Sequence, residues 1–445
     1  MRPIAIDAFA GVGGMSLGFE QAGFDVVVAI ERDPAHAAAH RFNFPRCEVL
    51  QADAGHLAGS EVSEAVKRGL RLHGRSPRGR QDVDVLFGGP PCQGFSVGGQ
   101  LDAADPRNRL VERFVRLVEE VRPRAFVLEN VPAMATRILP GCSYPVPDWL
   151  TRRLAKAGYD VRPADVLNAS RHGVPQDRRR LLIVGALRDE SLPVLPEPAT
   201  AAIPKRPGAS PRPGEVGHPS TPDLPPGPTV GQAIADLPDL DSFDALLEAD
   251  SIRMDDDQLV LSRALRSSYA ATLAGDSSDA NDLSAPRVWD PAILTSSLRT
   301  QHEPRTVARF ARTEMGEFEP TSRFYRLHRD GLSGTLRAGS APDRGSFSAP
   351  RPIHPTLDRV ISVREAARLH GFPDWFRFTA AKWHGFRQVG NAVPPPLARA
   401  VAVATREALD APLVPVDGPV RLGDPSLLLV ASGAGRRQRR SAAVA

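Results

Sequence analysis

Cysteine is scarce in this chain. There are three in 445 residues, Cys47, Cys92 and Cys142, and none has C-x-x-C spacing. So few, so dispersed, they exclude a disulfide framework, argue against a structural zinc site, and fit a reducing cytoplasm. The 11 histidines are scattered without ligand spacing, so no metal is expected. No apolar run approaches the length that spans a bilayer, and the opening "MRPIAIDAFAG" lacks a secretory pattern. Lysine is rare as well. Almost all of the positive charge is arginine, in a chain of formal net charge +4. Arginine suits bidentate contacts to phosphate and guanine. A GC-rich coding bias gives the same excess, so the total does not by itself identify a nucleic-acid partner.

What is present is strand–helix alternation over residues 1–187. "IAIDAF" reads as a strand, "GGMSLGFEQAG" as a turn and helix, "DVVVAIE" as a second strand and "AHAAAHRFNF" as a second helix. "VDVLFGG", "AFVLENV" and "RRRLLIVGAL" add apolar strands, and "LVERFVRLVEEV" has helical spacing. This order predicts an α/β fold with a doubly wound parallel sheet. A Pro-rich stretch, 188–228, reads as a linker. Residues 229–350 carry short elements, many arginines and Gly/Ser turns, and read as a smaller second domain. Helical pattern resumes over 351–410 and completes the first domain. Residues 411–445, ending in "GAGRRQRRSAAVA", are expected to be a disordered tail.

Four stretches carry chemistry. "DAFAGVGGMSLGF" is a glycine-rich turn between a strand and a helix, a geometry that brings a ligand close to backbone N–H groups. With Ser16 where a dinucleotide fingerprint has its third glycine, it does not read as an NAD site. Phe9 in that turn can stack on a purine. Glu31, ending the second strand, can accept from two ribose hydroxyls, and Asp53, ending the third, from an adenine amino group. "GGPPCQGFS" delivers Cys92 to the carboxyl edge of the sheet. A buried inert thiol needs neither a Pro-Pro brace before it nor Gly94, Gly98 and Gly99 after it. The glycines are expected to let the stretch from Gln93 to about Arg109 close over a bound substrate. "LENVP" places Glu129 at another strand end, as a candidate acid or hydrogen-bond partner. "QDRRRLLIVG" places Arg178 and Arg180 on one face of a strand, where they can pair with an anion or lower a thiol pKa.

With "REAARLHGFP" and "QVGNAVPPP" following them, these stretches resemble the DNA cytosine-5 methyltransferases. The resemblance covers nearly all of 1–187 and 351–405, with the motifs in the family's order. It implies a Rossmann-like methyltransferase domain with a smaller inserted target-recognition domain at 229–350. It implies S-adenosylmethionine as methyl donor, held by Phe9, Gly11, Gly13, Gly14, Glu31 and Asp53, with Asn391 near its methionine end. Cys92 matches the nucleophile, Glu129 the residue that contacts N3 and the exocyclic amine of the base, and Arg178 and Arg180 the arginines of the site. Double-stranded DNA is the implied partner of a cytoplasmic protein that acts as a monomer on DNA, with a cognate restriction endonuclease or other defence protein as a further partner. The tRNA-methylating relatives of the same fold are the alternative, and the Arg-rich insertion favours duplex DNA. A non-catalytic regulator of this fold would be expected to lack Cys92 or Glu129. In the insertion, Arg299, Arg305, Arg309, Arg323, Arg326 and Arg337 are candidates for base or phosphate contacts. Arg364, Glu365 and Arg368 are expected to organise the domain junction.

Overall fold

The computed structural model describes residues 1–77, 82–91, 109–208, 223–339, 351–416 and 418–429. The alternating apolar segments become β1 (Ile4–Ala8), α1 (Gly14–Gln21), β2 (Asp25–Glu31), α2 (Pro34–Asn43), β3 (Glu48–Gln51), α3 (Gly59–Leu72), β4 (Val85–Gly88), α4 (Arg109–Val121), β5 (Ala125–Asn130), α5 (Val146–Lys156), β6 (Tyr159–Val161), β7 (Asp165–Asn168) and β8 (Arg179–Leu187). Strand order is β3-β2-β1-β4-β5-β8-β6, with β7 also pairing β8. The first five strands are parallel, as the alternation predicts. β8 runs antiparallel to β5, so the expected all-parallel sheet turns mixed at this edge. Only one turn of 3-10 helix (Ala169–Arg171) and a short loop separate β7 from β8, too little chain for a crossover, and such a return allows only antiparallel pairing.

Both faces of the sheet are covered, which is why its strands are apolar runs rather than alternating ones. Ala5, Val26 and Phe87 face one core with α1 and α2, and Ile6, Val28 and Leu86 face the other with α3, α4 and α5. Helix boundaries follow local chemistry. Asp33 caps α2 by accepting from Ala35 N and His36 N, with Pro34 at the first helical position.

The chain after β8 is built from short pieces: α6 (Val230–Ile234), β9 (Ile252–Arg253), α7 (Asp256–Leu265), α8 (Ser268–Leu273), β10 (Arg287–Val288), β11 (Ile293–Leu294) and α9 (Pro304–Ala311). Then come α10 (Val363–Arg368), α11 (Lys382–Asn391) and α12 (Pro395–Ala408), and last β12 (Val420–Arg421). α12 lies on α1 so closely that a Cβ on Gly18 would sit 2.5 Å from Arg399 N and 2.6 Å from Ala398 Cβ. Arg364 donates to Thr295 O and Phe376 O, and Arg368 pairs with Asp236 and Asp374. These fully buried arginines tie the inserted segment to α10, and Glu365 pairs with Arg359 beside them.

Part of the segment expected to be a tail has structure of its own. Val420–Arg421 pairs in parallel with β10, and Leu428 is buried. The apolar side chains between 420 and 428 account for this, because each buries surface that a disordered tail would leave in water. Residues 430–445 lie outside the described residues. No helix of the described residues is long and apolar enough to cross a membrane.

Candidate active site

The carboxyl ends of β1, β2, β4 and β5 meet at one edge of the sheet. Beyond β1 the backbone enters the left-handed region at Phe9 (φ 66°) and Gly11 (φ 58°), and Gly13 (φ 100°) caps α1. A left-handed phenylalanine is strained and persists only where its surroundings hold it. Here Gly11 N donates to Glu31 Oε2 (2.8 Å) and Asp33 N donates to Glu31 Oε1 (2.7 Å). Glu31 thereby pins the glycine turn to the start of α2. Each carboxylate oxygen keeps a further lone pair for an incoming hydroxyl. Asp53, two residues beyond β3, accepts from Gly55 N (2.8 Å) and lies 3.5 Å from Arg32. Phe9, Glu31 and Asp53 are half-buried, so all three retain an open face.

Gly13 and Gly14 serve close packing. A Cβ on Gly13 would lie 2.3 Å from the Phe44 ring, and one on Gly14 2.3 Å from Val393 O. The second contact brings the segment after α11 against the glycine turn, close in sequence to exposed Asn391. Beneath the turn, Ser16 Oγ donates to Asp7 Oδ2 (2.6 Å) and lies 3.0 Å from His40 Nε2. All three are buried. Burial pushes the Asp7 carboxyl up to about 8 and the His40 imidazole down to about 3. Asp7 and Ser16 both fall in the glycine-rich stretch, but His40 comes from α2, and nothing in the sequence points to it as their partner.

The second constellation centres on Glu129. It is 8% exposed, and its Oε1 pairs with Arg180 Nε at 2.7 Å. Burial raises the Glu129 carboxyl above the ordinary carboxylate value, against the opposing fields of Arg180 and Arg178. The turn after β4 is fitted to this pair. A Cβ on Gly88 would lie 1.8 Å from Ala8 O, and one on Gly89 2.6 Å from Glu129 Oε2. Asn130 Nδ2 then donates to Pro90 O (2.9 Å). Asn130 stands next to Glu129 in "LENVP", a signal that the acid itself overshadowed. Cys92 follows Pro91 in sequence, and it and the expected closing loop at 93–108 lie outside the described residues.

Arg178 and Arg180 were expected to share one role, and the structure gives them different partners. Arg178 is 1% exposed and donates to Leu336 O (3.0 Å), Gly390 O (2.8 Å) and Ala392 O (2.9 Å). It thus holds both residues flanking Asn391. Gln176 and His370, which sequence reasoning did not single out, complete this junction. Gln176 Nε2 lies 3.0 Å from His370 Nδ1, and His370 Nε2 lies 2.9 Å from Ala392 O.

The six insertion arginines also divide. Arg299 pairs with Asp241, Arg309 with Glu319, and buried Arg326 with Asp358 and four backbone carbonyls. These three are occupied within the fold, contrary to the expectation that they face DNA. Arg305, Arg323 and Arg337 are exposed. Among the described residues no cluster of histidine, cysteine and acidic side chains could hold a metal ion.

Residues 4–407 match the family profile of the C-5 cytosine-specific DNA methylases. Type II methyltransferase M.XorII of Xanthomonas oryzae pv. oryzae is 44% identical over 428 residues, covering 96% of this chain and 90% of that protein. Type II methyltransferase M.AgeI of Thalassovita gelatinovora is 30% identical, covering 91% and 99%. Among solved structures, a prophage-encoded protein described as a DNA modification methyltransferase (E. coli) superimposes with a TM-score of 0.66 at 30% identity, over 92% of this chain and 99% of that one. The Dnmt2 methyltransferase of S. pombe shares the fold, with a TM-score of 0.53 at 14% identity, over 92% and 100%.

Proposed function

The chain belongs to the C-5 cytosine-specific DNA methylases and is a DNA (cytosine-5)-methyltransferase; we propose that it methylates C5 of a cytosine extruded from a short duplex site, through a covalent adduct between Cys92 and C6. The observation that carries this reading is the buried Glu129–Arg180 pair seated against the Gly89–Pro90 turn that leads to Cys92.

C5 of cytosine is a poor nucleophile. Addition of the Cys92 thiolate to C6 moves electron density to C5 and N3. Glu129, with its pKa raised by burial, is suited to donate a hydrogen bond or proton at N3 as that density develops, and to accept from the exocyclic amine. Arg180 holds the carboxyl in place. C5 then takes the methyl group, its proton departs, and elimination of the Cys92 sulfur restores the ring. S-adenosylmethionine, when bound, supplies the electrophilic methyl group. The half-buried ring of Phe9, the carboxylates of Glu31 and Asp53 and the open Gly11 turn fit its adenosine, and Asn391 lies toward its methionine end. Gly13 and Gly14 shape the turn. Arg178 acts through the backbone around Asn391 rather than on the base.

Extruding the base costs a few kcal/mol, which contacts in the pocket must offset. Residues 229–350 select the site, with 1–187 and 351–410 forming the catalytic part. The likeness to Type II methyltransferases supports a role as the modification partner of a restriction endonuclease. The test is expression in a methylation-free bacterium followed by bisulfite sequencing. Methylated cytosine in one short sequence context is expected, and absent with Cys92→Ala. No methylation by the wild-type chain sinks the reading, and methylation by the Ala variant sinks the adduct.

A further inference from the structure

We infer that Arg337 clamps a phosphate of the DNA strand beside the cytosine that enters the Glu129 site, a positioning role that rests on the reaction proposed above. The backbone around it is held from two sides. Asp177 N donates to Ser333 O (2.9 Å) and Thr335 Oγ1 to Asp177 O (2.7 Å). Leu336 N donates to Gln176 Oε1 (3.2 Å), and Leu336 O accepts from Arg178. On the other side the same segment presses on the end of α11, where a Cβ on Gly390 would lie 2.5 Å from Ala338 N and 2.6 Å from Arg337 C. Residues 333–338 are therefore stitched both to the "QDRRR" stretch and to the residues flanking Asn391. Arg180, which grips Glu129, is two residues along the chain from Arg178, about 7 Å in extended backbone.

The Arg337 side chain emerges from this fixed backbone into solvent, and no ion pair or hydrogen bond engages it among the described residues. The nearest acid along the stitched segments, Asp177, is already taken by Lys205 (3.0 Å) and Asn168 (3.0 Å). Arg299, Arg309 and Arg326 of the same insertion are all ion-paired within the fold. An unpaired guanidinium on a backbone held this firmly, on a segment stitched to the residues before Arg180, suits a phosphodiester, which takes two parallel N–H bonds from arginine. Its backbone is held by the stretch that leads into Arg180, the partner of Glu129, which assigns it to the DNA backbone near the extruded base rather than to the groove that is read for sequence.

The test measures binding of the wild type, Arg337→Ala and Arg337→Lys to a target duplex and to an unrelated duplex over a range of salt, with donor affinity by calorimetry. Arg337→Ala is expected to weaken both duplexes about tenfold or more and to lower the slope of log K against log salt by about 0.9. Arg337→Lys should keep the slope, and donor affinity should stay at the wild-type value in both. Wild-type affinity and slope in Arg337→Ala overturn the inference. A loss confined to the target duplex with the salt slope unchanged overturns it too, by making Arg337 a base reader. A wild-type chain that binds neither duplex sinks the proposed function itself, a result distinct from either.

Discussion

Asn130 Nδ2 donates to Pro90 O at 2.9 Å, joining the strand that carries Glu129 to the turn that precedes Cys92. Both ends are buried, so the bond is not exchanged for water. In the proposed reaction its value lies in fixing the segment of Glu129 relative to that of Cys92. Asn130→Ala leaves the Pro90 carbonyl without a partner, at about 1–3 kcal/mol. We expect kcat to fall on the order of 10- to 100-fold, since small misplacements of reacting groups cost that much. Donor affinity should remain within about twofold, because Asn130 is not part of the Glu31 turn. Single-turnover methylation and calorimetry read the two effects separately. A variant with lower thermal stability and wild-type kcat would make the bond structural only.

The close approach of β1 and β4 gives a second prediction. Ala8 O would lie 1.8 Å from a Cβ at Gly88, and both atoms belong to paired strands that cannot yield separately. Gly88→Ala should therefore destabilise the fold by about 3 kcal/mol or more, in the range of overpacked cores. Gly74→Ala is the comparison. It has φ 71° and open space around it, so only backbone strain of about 1 kcal/mol applies. Urea midpoints measure both. Equal losses at the two positions would refute the packing argument.

A pH prediction follows from the buried Asp7–Ser16–His40 network. The Asp7 carboxyl sits at about 8 in the fold, above its unfolded value of about 3.9. Between those values the folded state holds a proton that the unfolded chain has lost, so stability falls as pH rises to about 8. His40, held at about 3 against about 6.5 unfolded, works the other way, adding stability as pH rises toward 6.5. The two oppose each other up to 6.5, and Asp7 acts without His40 from there to 8. Stability is expected to drop by up to about 2 kcal/mol over that interval. Asp7→Asn should flatten this limb relative to wild type. Parallel curves for the two proteins would remove Asp7 as the cause.

Where the candidate site residues sit on the sheet was largely legible, because their motifs are local. Phe9, Gly11, Glu31, Asp53 and Glu129 all fall at strand ends, and a strand end is recognisable from an apolar run and the turn that stops it. What the sequence hid are relationships across long separations. Arg178 and Arg180 look equivalent in "QDRRR", yet one meets Glu129 and the other bonds backbone more than 150 residues away. The mixed sheet edge was missed because the apolar run of β8 reads the same in either direction. Val420 and Leu428 were misread because composition near the chain end reports average polarity, not the few apolar side chains that find a surface.

Some arginines build the inserted segment, and others are left exposed and able to meet DNA. Arg326 is buried and donates to Phe310 O, Thr313 O, Pro355 O and Leu357 O as well as pairing with Asp358 at 3.1 Å. It gathers the end of α9 and the chain before α10 around one guanidinium. Arg326→Ala strands those carbonyls and the acid, and should cost about 3–5 kcal/mol, the range for breaking a buried charged network. Arg305 and Arg323 are exposed and have no such partners among the described residues, so their alanine variants should stay within about 0.5 kcal/mol of wild type. Their effect should appear on DNA instead. Loss of a phosphate contact weakens all duplexes alike and lowers the salt slope by about one, whereas loss of a guanine contact relaxes one position of the target by about 1–3 kcal/mol. Urea denaturation, salt-dependent binding and sequencing of methylated DNA distinguish these results. If Arg305→Ala and Arg323→Ala leave both the salt slope and the methylated sequence unchanged, this face of the insertion does not meet DNA. If Arg326→Ala is as stable as wild type, its bonds are not what holds α9 in place.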